Sequence, residues 1–258
     1  MNEFGKSSAI LLVSIVLLSV FYAMADRIPN FTLISSVFYP LFSGIAFALC
    51  YRTYRGYKDW TNESSKAWFC ITAGVGCAFI GGFLLSLQTV IFSKTPGVSI
   101  SDVIFMLGYA FGGYGIYTLY SMFFRGNRTA IHLLIPVIMI LGVCFTYFFI
   151  WPLAAKDPNL LVVAARIAPV LLDFILLSIL IPMVLLLLGK PQAHVWIAVA
   201  FGFIVMAAGD LFSALQIFNN SDAAGRVSVV LLCSSYAFLA LAAHLQNVKS
   251  VGFSRKLL

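Results

Sequence analysis

Long apolar runs, separated by short polar segments, extend along nearly the whole chain. A helix needs roughly 20 apolar residues to cross a hydrocarbon core of about 30 Å, and a window of that length predicts eight spans. Their approximate bounds are residues 8–24, 32–51, 67–92, 100–123, 130–152, 165–189, 193–218 and 227–246. The runs are continuous and do not alternate, which excludes a transmembrane barrel of strands. The pattern therefore predicts an all-α integral membrane protein, with residues 1–258 in a single polytopic domain.

Composition supports the same class. Of the 258 residues, 62% are hydrophobic and 10% are charged, whereas soluble domains have about 45–50% apolar and about 25% charged residues. So few charges cannot cover a water-facing surface. A disordered chain, a secreted disulfide scaffold and a nucleic-acid-binding domain are excluded, and the expected environment is the lipid bilayer.

The distribution of basic residues predicts the orientation. With eight spans both termini lie on one side, and eleven of the 16 Lys and Arg residues fall on that side against five on the other. The positive-inside rule then places both termini in the cytoplasm and the protein in the cell membrane. The first run also fits a signal peptide ending near Ala23-Met24-Ala25. A retained first helix is the interpretation adopted, since cleavage would leave seven spans.

Two stretches of the chain match each other. Trp68 and Trp196 each open a span, and later residues correspond at nearly equal distances from them. The corresponding residues are Gly82 with Asp210, Gln88 with Gln216, and Tyr109 with Tyr236. The match predicts a parallel internal repeat of spans 2–4 and 6–8, with halves near residues 1–125 and 126–258. A duplication that merely built a helical bundle would leave the same pattern.

Several motifs resemble a known class of membrane sensor. They are the segments from Ser99 through Asp102 to Tyr109, Leu172-Asp173, Trp196 through Gly209-Asp210, and Tyr236 through Leu241. This order resembles the multi-span sensor region that precedes histidine kinase and diguanylate cyclase domains in bacteria and archaea. No such output domain follows in these 258 residues. The resemblance implies a non-enzymatic sensor that acts through a cytoplasmic or membrane partner protein.

Three carboxylates fall within predicted spans, toward the outer leaflet: Asp102, Asp173 and Asp210. An ionisable group at that depth is costly and points to a functional site. Asp173 and Asp210 lie at similar predicted depths on consecutive spans, where they can share a proton, bind a cation or hold an amine. With Gln88 and Gln216 they predict an outward-facing acidic pocket for a small cation, an amine or a lipid headgroup.

Structural roles compete with this interpretation. Asp102 also fits a cap of the fourth span after Ser99, and Asp173 also fits an ion pair with Arg166, two turns earlier. Gly108 and Gly112 form a Gly-x-x-x-Gly motif, which predicts close helix packing.

No cofactor or metal is expected. The lysines nearest the last spans, Lys190 and Lys249, lie in a loop and beyond a span, which excludes a retinal Schiff base. His132, His194 and His244 lie at span ends without a zinc-ligand spacing. Haem and a zinc-dependent lipid hydrolase are therefore disfavoured, and we do not expect an enzyme.

Three functions fit the sequence. The first is a non-enzymatic membrane sensor or binding module with an acidic pocket. The second is a small proton- or cation-coupled secondary transporter, in which the two halves move about the same carboxylates. The third is an accessory subunit of a larger membrane complex.

Overall fold

The computed structural model describes residues 3–28, 31–57, 62–92, 98–123, 133–155, 159–189, 193–219 and 221–254, and no strand occurs among them. The helices are α1 (Glu3–Ala23), α2 (Phe31–Ser35), α3 (Phe38–Arg55), α4 (Glu63–Phe92), α5 (Ile100–Phe123), α6 (Leu134–Phe145), α7 (Leu160–Leu187), α8 (Ala193–Asn219) and α9 (Asp222–Ser254). A 3-10 turn, Ala25–Arg27, follows α1. A π-helical turn, Thr146–Ile150, joins α6 to a last helical turn at Trp151–Ala154.

Five of these helices, α4, α5, α7, α8 and α9, are long and apolar enough to cross a membrane. Two shorter apolar stretches, Ala9–Ala23 and Leu134–Ile150, belong to α1 and to α6 with its π-helical turn. The all-α prediction is confirmed, and the five long helices support a membrane protein. The count of eight spans and the internal repeat stay predictions.

Local sequence explains where the observed helices depart from the predicted spans. The predicted span 32–51 is interrupted, since α2 ends at Ser35 and α3 begins only at Phe38. Pro40 therefore lies in the first turn of α3, where its missing N–H leaves no helical hydrogen bond unmade. Helix α7 begins five residues before the predicted bound of 165 because the Asn159 side chain accepts hydrogen bonds from the first backbone N–H groups.

Six helices form a closed ring in the order α3, α4, α5, α7, α8, α9 and back to α3, while α1 packs on α9 and α6 packs on α7. We call α3 to α5 the first group and α7 to α9 the second group. Trp68 of the first group and Trp196 of the second are both buried, with ring centroids 5.9 Å apart. The two tryptophans therefore join the groups near the starts of α4 and α8.

Close backbone contact holds α4 against α5. A Cβ atom added at Gly74 would lie 2.8 Å from the carbonyl oxygen of Gly108 and 3.0 Å from the backbone nitrogen of Gly112. The Gly-x-x-x-Gly motif thus lies against a third glycine, as expected for closely packed membrane helices. A Cβ added at Gly112 itself would meet nothing within 4 Å, so Gly74 makes the closer approach.

Candidate functional site

A cavity of about 420 Å³ lies inside the ring, lined by residues from all six of its helices. It occupies the half of the ring where α3, α5, α7 and α9 begin and where α4 and α8 end. Its polar lining residues near those helix ends are Ser36, Ser86, Thr89, Asp102, Arg166, Ser213, Gln216 and Ser228. The lining further along the helices is apolar: Ile71, Val75, Ala78, Leu176, Phe203, Met206 and Leu239. The polar residues thus concentrate toward one end, where apolar residues such as Leu85, Phe105 and Ile217 also line the cavity.

Between these two zones, a tyrosine bridges two carboxyl groups from the other three-helix group. The Tyr109 hydroxyl of α5 lies 2.9 Å from Asp173 Oδ1 of α7 and 2.5 Å from Asp210 Oδ2 of α8. Tyr109 and Asp210 line the cavity. Asp173 lies behind them with 0% of its surface exposed. We call Tyr109, Asp173 and Asp210 the acidic junction.

The two carboxylates lie at different numbers of residues from the ends of their helices. Asp210 precedes the end of α8 by nine residues and Tyr109 follows the start of α5 by nine, which is about 14 Å along each helix at 1.5 Å per residue. Asp173 follows the start of α7 by thirteen residues, or about 20 Å. The different counts reflect the early start of α7. They do not contradict the predicted similar depth, because both carboxyl groups contact the same Tyr109 hydroxyl.

Asp102 is held by two different interactions near the polar end of the cavity. Its Oδ2 accepts hydrogen bonds from the backbone nitrogen of Ser99, at 2.7 Å, and from the Ser99 hydroxyl, at 3.3 Å. Its Oδ1 pairs with Arg166 Nη1 at 3.3 Å. Arg166 therefore forms an ion pair with Asp102, whereas no described ion pair joins it to Asp173, which was the alternative structural role considered for Asp173. Asp102 also caps the helix start, as predicted.

The remaining predicted residues differ in whether they line the cavity. Gln216 lines the cavity and packs its side chain over Gly225, where an added Cβ would overlap it. Gly108 and Gly112 also line the cavity. Gln88 does not line it, and its Oε1 is buried with no hydrogen-bond partner among the described residues. Of the two glutamines predicted to complete the polar lining, the cavity therefore includes Gln216 and not Gln88.

A second tyrosine bridges the two groups on the other side of the ring. The hydroxyl oxygens of Tyr236 in α9 and Tyr39 in α3 lie 2.9 Å apart, and their rings meet edge to face. The Tyr39 ring covers Gly82 of α4, so closely that an added Cβ there would overlap it. We call Tyr39, Gly82 and Tyr236 the tyrosine junction.

Sequence reasoning did not select Tyr39, Tyr109 or Tyr236 as site residues. The available signal was the match of Tyr109 with Tyr236 in the alignment of the chain on itself. Tyr39 had no signal of its own, because one tyrosine among many aromatic residues of a membrane helix is ordinary.

The site is acidic in total. Its ionisable side chains at and behind the cavity wall include three carboxyl groups, Asp102, Asp173 and Asp210, and one guanidinium, Arg166. Arg166 makes its ion pair with Asp102 and acts on Asp210 electrostatically from a longer distance. Asp210 is therefore the carboxylate most accessible to a positively charged ligand.

The described residues contain no group of three or more His, Cys, Asp and Glu side chains that could hold a metal ion. His194 is exposed and His244 is partly buried, while His132 lies outside the described residues. The site instead offers hydrogen-bond acceptors and aromatic faces, which suit the binding of a cation.

Fold and site together define a helical protein whose long apolar helices suit a membrane and whose cavity is acidic and lined by tyrosines. No protein-family model, curated protein or solved structure matches this chain. The resemblance to the sensor regions of histidine kinases and diguanylate cyclases stays a prediction.

Proposed function

We propose that the protein is a non-enzymatic membrane sensor or binding module whose cavity takes a small organic ammonium ion. The observation that supports this most directly is the position of Asp210, a carboxylate in the wall of a cavity that is otherwise largely apolar and aromatic at that depth. A buried charge of this kind is costly unless a partner compensates it. A cation in the cavity is such a partner.

Aromatic side chains favour an organic cation over a bare metal ion. Tyr39, Phe105, Tyr109 and Tyr236 line the cavity around the level of Asp210. The faces of such rings attract ammonium groups by about 0.5–2 kcal/mol each, most strongly where water is excluded. Carboxylate and aromatic faces together match the charge and the apolar substituents of an organic ammonium ion.

Cavity size leads to the same class of ligand. Small-molecule sites typically have volumes of about 300–1,000 Å³, and this cavity has about 420 Å³. A single inorganic cation would leave most of that space unused and would lack the ring of oxygen ligands that hard cations prefer. A ligand with an ammonium group and an apolar body fills both the acidic level and the apolar end.

Binding would act on the contact between the two groups. A ligand at Asp210 touches α8 of the second group and, at Tyr109, α5 of the first. At the far end of the ring, Asn247 of α9 donates a hydrogen bond of 2.9 Å to Thr53 of α3. Movement of one group against the other would change that far end, where a partner protein at the predicted cytoplasmic, basic face would receive the signal.

The proposal is tested with choline as the probe and its uncharged carbon isostere as the comparison, on purified protein in lipid nanodiscs. We expect choline, and not the isostere, to raise the unfolding temperature in the wild type. Asp210→Asn should weaken choline binding at least about tenfold, since removing one member of a desolvated charge pair costs several kcal/mol. Asp222→Asn removes an exposed carboxylate that does not line the cavity; it is the matched control and should bind normally.

Equal effects of choline and its isostere, or normal choline binding by Asp210→Asn, would contradict the proposal. An accessory subunit of a larger complex would instead copurify with a fixed partner and be indifferent to Asp210→Asn.

A secondary transporter is the second candidate, favoured by the cavity lying between two three-helix groups. The proposed internal repeat would make these groups equivalent copies, with Tyr109 matching Tyr236 and Asp210 matching Gly82. Alternating access in such proteins moves one repeat against the other about a central site. Uptake of labelled choline into proteoliposomes that is lost in Asp210→Asn would favour the transporter, whereas binding without uptake favours the sensor.

A further inference from the structure

The acidic junction contains fewer hydrogens than its contacts require. Tyr109 carries one hydroxyl hydrogen, yet its oxygen lies within hydrogen-bond distance of carboxyl oxygens from both Asp173 and Asp210. If both carboxyl groups were ionised, one of these two contacts would join two oxygens with no hydrogen between them. Two carboxylates side by side in a low-dielectric interior also repel each other strongly.

Nearby charges do not remove this conflict. Arg166 is the cation within electrostatic range, and it pairs with Asp102. From α9 and α3 the neighbouring titratable groups are Tyr236, Cys233 and Tyr39, which are neutral in their ordinary forms. Residues 134–155, which contain α6, carry no charged side chain.

The second carboxyl oxygen of Asp173 supplies an independent observation. Asp173 is completely buried, and its Oδ2 has no hydrogen-bond partner among the described residues. An ionised oxygen left alone in such a place is far more costly than the carbonyl oxygen of a neutral acid. Asp210, by contrast, borders the cavity, where a cation can approach it.

We propose that Asp173 is a protonated carboxylic acid that donates its hydrogen bond to Tyr109, while Tyr109 donates its own to Asp210. Each of the two contacts of the Tyr109 hydroxyl then has one hydrogen, and the unpartnered Oδ2 is a neutral carbonyl oxygen. Asp173 is thus a positioning residue that aims the Tyr109 hydroxyl, and Asp210 carries the single negative charge of the pair. The site consequently prefers a monovalent ammonium ion to a divalent cation; this last consequence rests on the proposed function, whereas the proton on Asp173 does not.

Infrared difference spectra, wild type minus the Asp173→Asn variant, test without any ligand whether Asp173 carries a proton. Wild-type protein in lipid vesicles at neutral pH should show the carbonyl stretch of a protonated carboxylic acid, and Asp173→Asn should abolish it. Asp102→Asn is the control that should leave the band unchanged, because Asp102 is ionised against Arg166. Absence of the band in the wild type, or its persistence in folded Asp173→Asn, would overturn the proposal.

Choline binding separates the roles of the two carboxyl groups. An amide closely resembles a protonated acid in shape and lack of charge, so Asp173→Asn should keep choline affinity within about threefold of the wild type. Asp210→Asn should lose at least about tenfold, as argued above. A loss in Asp173→Asn as large as in Asp210→Asn, or stronger binding of ethylenediammonium than of choline by the wild type, would overturn the single-charge arrangement. Failure of every cation to bind would refute the proposed function. The infrared result would then still show whether Asp173 is protonated.

Discussion

Each of the two junctions between the three-helix groups is formed by a bridging tyrosine, but the residues that the tyrosine contacts differ. At each, a tyrosine of one group reaches across to the other: Tyr109 from α5 and Tyr236 from α9. Tyr109 meets two aspartates, whereas Tyr236 meets the hydroxyl of Tyr39. One junction is therefore charged and the other neutral, although both border the same cavity. The comparison indicates that charge, and not the bridging tyrosine, distinguishes the two junctions.

The tyrosine junction has no charged group and is tightly packed. The Tyr39 ring lies directly over Gly82, where no larger side chain fits beside it. Helix α1 adds a cover on this side, since Leu18 and Tyr22 pack with Cys233 of α9 in a separate buried cluster. Both junctions thus border the cavity, but the tyrosine junction is in addition tightly packed around Gly82 and covered by α1.

The largest expected effect on stability comes from removing the Tyr109 hydroxyl, and it should exceed the effect of removing the Tyr236 hydroxyl. Tyr109→Phe removes a hydrogen bond to a charged carboxylate and leaves buried polar atoms unpaired, which should lower the free energy of unfolding by about 1.5–3 kcal/mol. Tyr236→Phe removes a hydrogen bond between two neutral hydroxyls and should cost about 1 kcal/mol. Chemical denaturation of both variants in the same detergent measures the difference. Equal costs would show that the partner's charge does not distinguish the junctions.

A smaller effect is expected from adding one methyl group at the tyrosine junction. Gly82→Ala places a Cβ against the Tyr39 ring, and displacement of that ring should cost about 1–2 kcal/mol, within the range for overpacked interiors. Gly112→Ala is the matched control, because an added Cβ there has open space. It should be neutral or stabilising, since alanine favours a helix over glycine by about 1 kcal/mol.

Combining Gly82→Ala with Tyr39→Ala should remove most of the extra cost, because the two substitutions act on one contact. Full additivity in thermal unfolding would mean that Gly82 is required for some reason other than the Tyr39 ring.

Parts of this comparison were accessible from sequence and parts were not. Asp173 and Asp210 stand out because a carboxylate is rare within an apolar helix, and the chain order places both toward one membrane face. Tyr109 does not stand out, since its role depends on α5 and α7 being neighbours in the ring. Neighbour order in a helical bundle comes from packing between helices, which hydropathy does not encode. The start of α7 was predicted more than a turn too late, because hydropathy does not detect the capping role of Asn159.

The smallest expected effect on stability concerns an ion pair that joins the turn after α1 to α9, near the tyrosine junction. Asp26, in the 3-10 turn after α1, accepts hydrogen bonds from both terminal nitrogens of Arg226 near the start of α9, at 3.1 and 2.5 Å. The hydrogen bond and the positive charge of Arg226 lower the pKa of Asp26 below its ordinary value of 3.8. Because the folded pKa is the lower one, the pair contributes its stability above pH 3.8 and loses it as the pH falls through the lowered value. An exposed pair of this kind adds little in absolute terms.

Asp26→Asn should therefore unfold at a slightly lower temperature than the wild type at neutral pH, and the difference should disappear in acid. Arg226→Gln should give a similar loss, and the double variant should lose little more than either single one, because both substitutions break the same contact. Thermal unfolding across a pH series measures all three variants. A difference that persists unchanged in acid would mean that the Asp26 side chain acts through packing and not through its charge. Asp26→Asn should also leave choline binding unchanged, because Asp26 does not line the cavity and is not part of the acidic junction.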